Sequence, residues 1–212
     1  ISRRLTLADR ALREGRWIVG EIRPQARKML EKTIGIVGFG NIGRAVAQRL
    51  HGFGVNIIYY DIQGRSDDIA KPLNAKFVEM DELLAQSDII TLHIPGGTAN
   101  YHLFNKETFA KMKPGAALIN AARGDLVDEA ALVEALESGH VSGAGLDVFE
   151  TEPRGETPLA KFDNVIMTPH SAGSVMDNVV PMARHGFENM LRVLRGEPIP
   201  DADLIVNPTS PR

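Results

Sequence analysis

Two apolar patterns alternate along the chain. Short continuous runs rich in β-branched residues are separated by stretches whose apolar residues return every three or four positions, the signatures of buried strands and one-sided helices. Residues 33–38 form the first such run and end in glycine, as a buried parallel strand does. Residues 41–51 follow with Ile42, Val46 and Leu50 at helical spacing, and 55–60 make the next strand, closed by Asp61. The alternation predicts a minimal strand at 77–78, a helix over Met80–Gln86, a strand over 88–93 and a helix over 106–112. Beyond these come a strand over Ala116–Asn120, a helix over 128–137, and strands over 142–149 and 164–168. Lys113-Pro114-Gly115 and Ser138-Gly139 stop the two later helices. A helix over roughly 5–22, with Leu5, Ala8, Leu12 and Trp17 on its apolar stripe, precedes this core. A long helix over about 175–195 and a Pro-rich tail follow it.

Strand and helix alternating through short connections predict an α/β fold: a doubly wound parallel sheet with an N-terminal helix arm and a long C-terminal helix. The expected organisation is an arm and connection over 1–32, a sheet domain over 33–174, and a helix and tail over 175–212. No internal repeat or low-complexity run interrupts it, and the Gly/Pro stretch at 152–158 reads as a surface loop.

The turn after the first strand reads Gly38-Phe39-Gly40-Asn41-Ile42-Gly43, a GxGxxG pattern. Alone the pattern is weak. Here a strand runs in, a helix runs out, and a second strand ends in an acid. In a Rossmann-type dinucleotide site Gly38 permits the tight turn, Gly40 lets the backbone approach a pyrophosphate, and Gly43 lets the helix pack on the sheet. The amides of Asn41 and Ile42 sit at the helix N-terminus, where free N–H groups and the dipole favour an anion. Asp61 is placed to accept hydrogen bonds from the adenosine ribose. A carboxylate there repels a 2′-phosphate, so NAD is favoured over NADP, with Arg65 as an opposing charge nearby.

Charge and composition narrow the partners. The net charge of −3 offers no basic surface for nucleic acid or an anionic membrane. No apolar run approaches the ~20 residues of a membrane helix, and the polar, arginine-rich start does not read as a signal peptide. The absence of cysteine excludes disulfides, thiolate metal sites and a cysteine nucleophile. A cytoplasmic protein without a metal is the expectation.

Ligands of open parallel sheets bind beyond the carboxyl ends of the strands. Arg123, Asp147 and His170 each lie at or just after the end of a strand, Glu152 lies in the loop behind Asp147, and His93 and Pro95 end an earlier strand. An arginine fork fits a carboxylate and polarises a neighbouring carbonyl. A histidine passes a proton near neutral pH, and a nearby carboxylate stabilises its charged form. That set suits hydride transfer to a 2-keto acid. Taken singly, each residue is more often a solvated charge or a capping group. The remaining histidines, His51, His102, His140 and His185, read as structural or surface residues, and His93 as intermediate.

Three segments in order carry a resemblance. Residues 120–129, Asn-Ala-Ala-Arg-Gly-Asp-Leu-Val-Asp-Glu, are similar to the catalytic-arginine segment of the D-isomer-specific 2-hydroxyacid dehydrogenases. Residues 145–153, Gly-Leu-Asp-Val-Phe-Glu-Thr-Glu-Pro, resemble that family's glutamate segment, and Thr-Pro-His-Ser-Ala-Gly at 168–173 its histidine segment. The similarity runs from about Arg10, through Arg-Glu-Gly-Arg-Trp at 13–17, to Val-Asn-Pro at 206–208. The resemblance implies that Arg123 binds substrate, that His170 is the acid/base and Glu152 its partner, and that Asp147 holds the nicotinamide carboxamide. It implies further that Ile94, Pro95, Ala121, Ala122, Ala172 and Gly173 line NAD, and that the protein is a homodimer with its first helix as an exchanged arm. Where the family usually carries Leu-Thr-Pro and a threonine, this chain has Gly-Gly-Thr-Ala-Asn at 96–100, with Asn100 at the threonine-like position. Full-length members also carry roughly a hundred further N-terminal residues, about the size of a small domain, that build a substrate lobe. The C-terminal helix would pack on that lobe. Two alternatives to a working dehydrogenase follow: an NAD(H)-sensing corepressor-like protein, and a folded cofactor domain that is inactive without its partner lobe. Another Rossmann enzyme, such as an alanine dehydrogenase, fits less well, because the three ordered segments argue against it.

Overall fold

The computed structural model describes residues 1–204. The end of the expected tail, including the Val-Asn-Pro segment at 206–208, lies outside the described residues. In chain order the elements are α1 (Leu5–Arg13), α2 (Val19–Ile22), β1 (Thr33–Val37), α3 (Asn41–Leu50), β2 (Asn56–Tyr60), α4 (Asp67–Ala70), β3 (Ala75–Phe77) and α5 (Met80–Gln86). They continue with β4 (Ile89–Leu92), α6 (Lys106–Lys111), β5 (Ala116–Asn120), α7 (Glu129–Glu137), β6 (Val141–Leu146), β7 (Val165–Met167) and α8 (Met176–Leu194). The strands form one sheet in the order β3-β2-β1-β4-β5-β6-β7, with every pair parallel. The chain winds outward from β1 in one direction and from β4 in the other, so the crevice between their carboxyl ends is the switch point at which such sheets bind ligands.

Side chains alternate across each strand, and the sheet is covered on both faces. Ile34 and Ile36 of β1 join Ala47 of α3 and Ile57 and Tyr59 of β2 in one buried cluster. Val37 joins the larger cluster that α5, α6 and α7 supply through Leu83, Phe109 and Leu132, together with Leu92 and Leu118 of the central strands. Tyr59 is fully buried and stacks on Phe39, ring centroids 3.9 Å apart.

The chain divides into two units, Ile1–His170 and a second that begins at Ser171. In the first, the single helix expected over 5–22 is broken. Gly15 adopts a left-handed φ of 75°, which ends α1, and only the four residues of α2 resume. The expected apolar stripe does not face the core either: Ala11 is the buried residue of α1, while Leu5 and Trp17 are 72% and 81% exposed. Arg10 of α1 pairs with Asp163 in the turn before β7. In the second unit α8 spans 19 residues, none of them buried. The chain after it turns back so that Asp203 accepts from Asn189 at 3.1 Å and pairs with His185 at 3.0 Å. No helix among the described residues is long and apolar enough to cross a membrane.

Leu118 is fully buried at the centre of β5, so Leu118→Ala removes apolar contacts and leaves a cavity. Urea unfolding of this variant should show a loss of about 2–5 kcal/mol. A loss under about 1 kcal/mol would contradict this assignment of the core.

Candidate active site

The first turn is built on close backbone approach. Gly38 holds φ at 93°, and its amide donates to the Tyr60 carbonyl at 2.9 Å. A Cβ on it would come within 2.5 Å of the His93 carbonyl oxygen, so only glycine lets β1 and the end of β4 sit this close. Gly43 packs directly on the Gly38 carbonyl, which seats α3 against the sheet. Gly40 differs: a Cβ there would meet nothing within 4 Å, because it faces the open side of the turn. No side chain caps α3, and Asn41 and Ile42 are exposed. The first-turn amides and the positive end of the helix dipole are therefore left for an anion.

Asp61 follows β2 and is half-buried. One of its oxygens accepts from the Phe39 amide at 2.7 Å and the other from the Gln63 amide at 2.9 Å. The acid thus braces the glycine turn while its remaining lone pairs stay available for a ribose. Arg65 lies 3.8 Å from Asp67, which offsets part of its charge. Ile94 sits against Gly38, and the Pro95 carbonyl accepts from the Asn100 side chain at 2.9 Å. Asn100 therefore closes its own turn. An open glycine, uncapped amides and an acid at the next strand end fit a dinucleotide.

Farther along the same edge, the buried Asn120 ends β5. Its side chain donates to the Arg123 carbonyl at 2.8 Å and accepts from the Ala122 amide at 3.0 Å. This ties residues 121–123 into a fixed turn and leaves Arg123 exposed, its guanidinium on the Ala122 carbonyl at 2.6 Å. Ala121 is exposed and Ala122 half-buried. Gly124 presses on the Phe149 carbonyl, where any Cβ would collide, so the arginine turn and the loop after β6 are in backbone contact.

That loop carries the acid/base pair. The Glu152 carboxylate accepts from the Phe149 amide at 2.9 Å through one oxygen and meets His170 Nδ1 at 2.7 Å through the other. His170 is itself fixed. Its amide donates to the Asp147 carbonyl at 2.7 Å, and its φ is 51°, in the left-handed region. The histidine and the Phe149 amide hold the Glu152 carboxyl below the usual carboxylate range. Both side chains are well exposed, so the pair adds at most about 1 kcal/mol to folding. Asp147 is buried and accepts from Thr168 Oγ1 at 2.5 Å. Met167, Thr168, Pro169, Phe149 and Pro153 surround a cavity of about 610 Å³ beside Glu152 and His170. Ala172 and Gly173 belong to the second unit.

His93, intermediate by sequence, is a packed residue. Its Nε2 meets Thr91 Oγ1 at 3.0 Å, and burial pushes the imidazole down to about 4. It is neutral at physiological pH and therefore no proton donor there. The sequence reading gave no role to four residues that hold the loop after β6. Glu129, buried at the start of α7, accepts from the Glu150 amide at 2.9 Å and pairs with Arg154 at 2.6 Å. His102 bonds Glu150 across 48 positions of sequence.

The parallel sheet, the glycine turn after β1 and the acid after β2 make a domain of the α/β dinucleotide-binding class. The sequence profile of the family described as D-isomer specific 2-hydroxyacid dehydrogenase, NAD binding domain, matches residues 1–172, and the chain belongs to that family. It is similar to a glyoxylate reductase of Thermofilum pendens, 43% identical over 206 residues, covering 93% of this chain and 59% of the relative. Among solved structures, apo D-mandelate dehydrogenase of Rhodotorula graminis superposes with a TM-score of 0.89 at 32% identity, covering 93% of this chain and 60% of that one. NAD-dependent formate dehydrogenase of Staphylococcus aureus, in complex with NAD, superposes with a TM-score of 0.86 at 35% identity, covering 97% and 61%. The chain thus spans about 60% of the length of these relatives.

The half-buried His93 also carries a pH dependence. The unfolded chain protonates this ring near 6.5, the folded chain only near 4. Between those values the unfolded state binds more protons, so this contribution to stability falls as pH falls. Wild type should lose stability to urea more steeply than His93→Gln on going from pH 7 to pH 4.5. Parallel curves for the two proteins would contradict the assignment.

Proposed function

We propose that this chain is the cofactor-binding part of an NAD-dependent dehydrogenase that interconverts D-2-hydroxy acids and 2-keto acids. The observation that carries the reading is the 2.7 Å bond between Glu152 and His170, at the sheet edge that also presents Arg123 and the open glycine turn. In this reading Gly38, Gly40, Asn41, Ile42 and Gly43 receive the pyrophosphate and Asp61 the ribose. Ile94, Pro95, Ala121, Ala122 and Asp147 line the rest of the cofactor. NADH, when bound, supplies the hydride for C2 of the keto acid. Arg123 pairs with the substrate carboxylate and polarises the keto group. His170 gives the proton on Nε2 to the carbonyl oxygen as it becomes a hydroxyl. The Glu152 carboxylate on Nδ1 stabilises the imidazolium before transfer and orients the ring. In the oxidative direction the same nitrogen takes the proton back.

The exposed apolar residues of α8, among them Val179, Met182, Phe187 and Met190, are assigned to packing on a substrate lobe outside this chain. The exposed Leu5, Leu12 and Trp17 support a homodimer through the arm, and the cysteine-free composition fits a cytoplasmic location. Glyoxylate is the first substrate to test, because several relatives at about 40% identity carry the name glyoxylate reductase.

The test is NADH oxidation by the full-length protein with glyoxylate, hydroxypyruvate and pyruvate. His170→Ala should lower kcat by about 100- to 10,000-fold, the usual contribution of a positioned acid. Arg123→Ala should raise KM for the keto acid and cost roughly 100-fold in kcat/KM, with NADH binding by fluorescence unchanged. Tight NADH binding without turnover of any keto acid would favour the corepressor-like sensor instead.

A further inference from the structure

We infer that His102 is a positioning residue for Glu152, acting through Glu150. This rests on reading Glu152 and His170 as the acid/base pair.

The argument starts with how the loop after β6 is held. Phe149, Glu150 and Glu152 lie on one turn. The Phe149 amide bonds the Glu152 carboxylate at 2.9 Å, so any rotation of the turn carries that carboxylate with it. Glu129 grips the turn at the Glu150 amide, also at 2.9 Å, and Gly124 packs on the Phe149 carbonyl. Both of these contacts hold main-chain atoms. The Glu150 side chain adds a third by bonding His102 Nε2. That contact restrains the rotation that remains, and with it the direction in which Glu152 faces His170.

His102 is built to be the fixed end of that contact. It lies in the segment after β4, which makes its own short parallel pairing with the β5–α7 connection. Phe104 bridges Val127, the Phe104 amide donates to the Leu126 carbonyl at 2.9 Å, and the Asp128 amide donates to the Phe104 carbonyl at 3.0 Å. The His102 amide donates to the Asp125 carbonyl at 2.8 Å, and φ at His102 is 50°, a left-handed value that a non-glycine residue holds only when its surroundings enforce it. The ring stacks on Tyr101, with centroids 3.9 Å apart and planes 14° from parallel. Its two nitrogens face two acids: Nε2 bonds Glu150, and Nδ1 lies 3.9 Å from Asp128 Oδ2. Asp128 is the N-cap of α7 and accepts from the Ala131 amide at 3.0 Å. The imidazole therefore spans a helix start and the Glu152 loop. A histidine used only to fill space needs neither the bond to Glu150 nor a carboxylate facing its other nitrogen.

The consequence can be read without turnover. Glu152 is held below the usual carboxylate range chiefly by its bond to His170, then by the Phe149 amide, with desolvation and then Asp147 opposing. If His102 sets the turn, removing it loosens both bonds, and the Glu152 titration moves up toward the ordinary value. A purely structural histidine would lower the melting temperature and leave that titration in place.

The experiment is a pH titration of the Glu152 side-chain carboxyl by 13C NMR in the full-length protein, assigned with Glu152→Gln. Wild type, His102→Ala, His102→Gln and Glu150→Ala are compared. The inference predicts that the Glu152 midpoint rises in His102→Ala and in Glu150→Ala. It also predicts recovery in His102→Gln, whose amide can still donate to Glu150. An unchanged midpoint in folded His102→Ala would overturn it. Should His102→Ala fail to fold, Glu150→Ala, altered at a side chain 30% exposed, decides on the same criterion. If wild type turns over keto acids, kcat in His102→Ala should fall on the order of tenfold, a fraction of what a positioned acid contributes, with NADH affinity unchanged. If wild type turns over none, the dehydrogenase reading fails while the titration still decides the role of His102.

Discussion

A parallel ladder has no hairpins. Each strand must be followed by a crossover that leaves from the same edge of the sheet, and the right-handed hand of those crossovers puts helices on both faces. In this chain the constraint decides where chemistry can collect. The turns after β1, β2, β4, β5, β6 and β7 all open on one edge, and they carry Gly38–Gly43, Asp61, Ile94, Arg123, Glu152 and His170. Turns tens of positions apart come into backbone contact because each follows a strand of the same direction. The opposite edge has the same number of connections and none of these groups.

Within that edge, backbone contact does most of the placing. Gly38 approaches the His93 carbonyl and Gly124 the Phe149 carbonyl, so the turns after β1 and β4, and those after β5 and β6, are coupled without side chains between them. Buried polar side chains finish the work. Asn120 satisfies both ends of the arginine turn, and Glu129 spends one oxygen on the Glu150 amide and the other on Arg154. Buried groups paired in this way are costly to disturb, because a lost partner leaves a desolvated donor or acceptor behind. The exposed Glu152–His170 pair contributes little to stability by comparison. The Phe149 amide holds Glu152, and the Asp147 carbonyl holds the His170 amide, while in the proposed function the exposed imidazole exchanges protons with a ligand.

Much of this was legible in the sequence, for physical reasons that differ by element. Strands buried on both faces read as short apolar runs, and Ala116–Asn120 and Met80–Gln86 were placed to the residue. The glycine turn and Asp61 were legible because their spacing is local. Arg123, Glu152 and His170 stood out only together, behind the glycine turn and within three ordered segments that resemble one family's, since each alone reads as a solvated charge or a capping group. The helix expected over 5–22 was not legible as two pieces, since its apolar spacing runs past Gly15 without regard to the left-handed turn there. The roles of His102, Glu129 and Arg154 were not legible either. Their contacts join loops across tens of positions, with no periodicity or motif to mark them, and a lone histidine beside Tyr101 looks like any surface residue. The exposure of the whole of α8 was equally hidden, because a helical apolar pattern reads the same whether or not a partner covers it.

In the proposed function, NADH bound at this edge supplies a hydride to C2 of a keto acid and His170 a proton to its oxygen. The most direct measurement is single-turnover reduction of glyoxylate, hydroxypyruvate and pyruvate by the full-length protein with stereospecifically deuterated [4-2H]NADH, the products read by mass spectrometry and NMR. The account predicts that one of the two forms, 4R- or 4S-labelled, gives one deuterium at C2 of a D-2-hydroxy acid, with the C2 of glycolate labelled on one face only. Deuterium retained on the cofactor with both forms for every keto acid, or label appearing at a carbon other than C2, would contradict it.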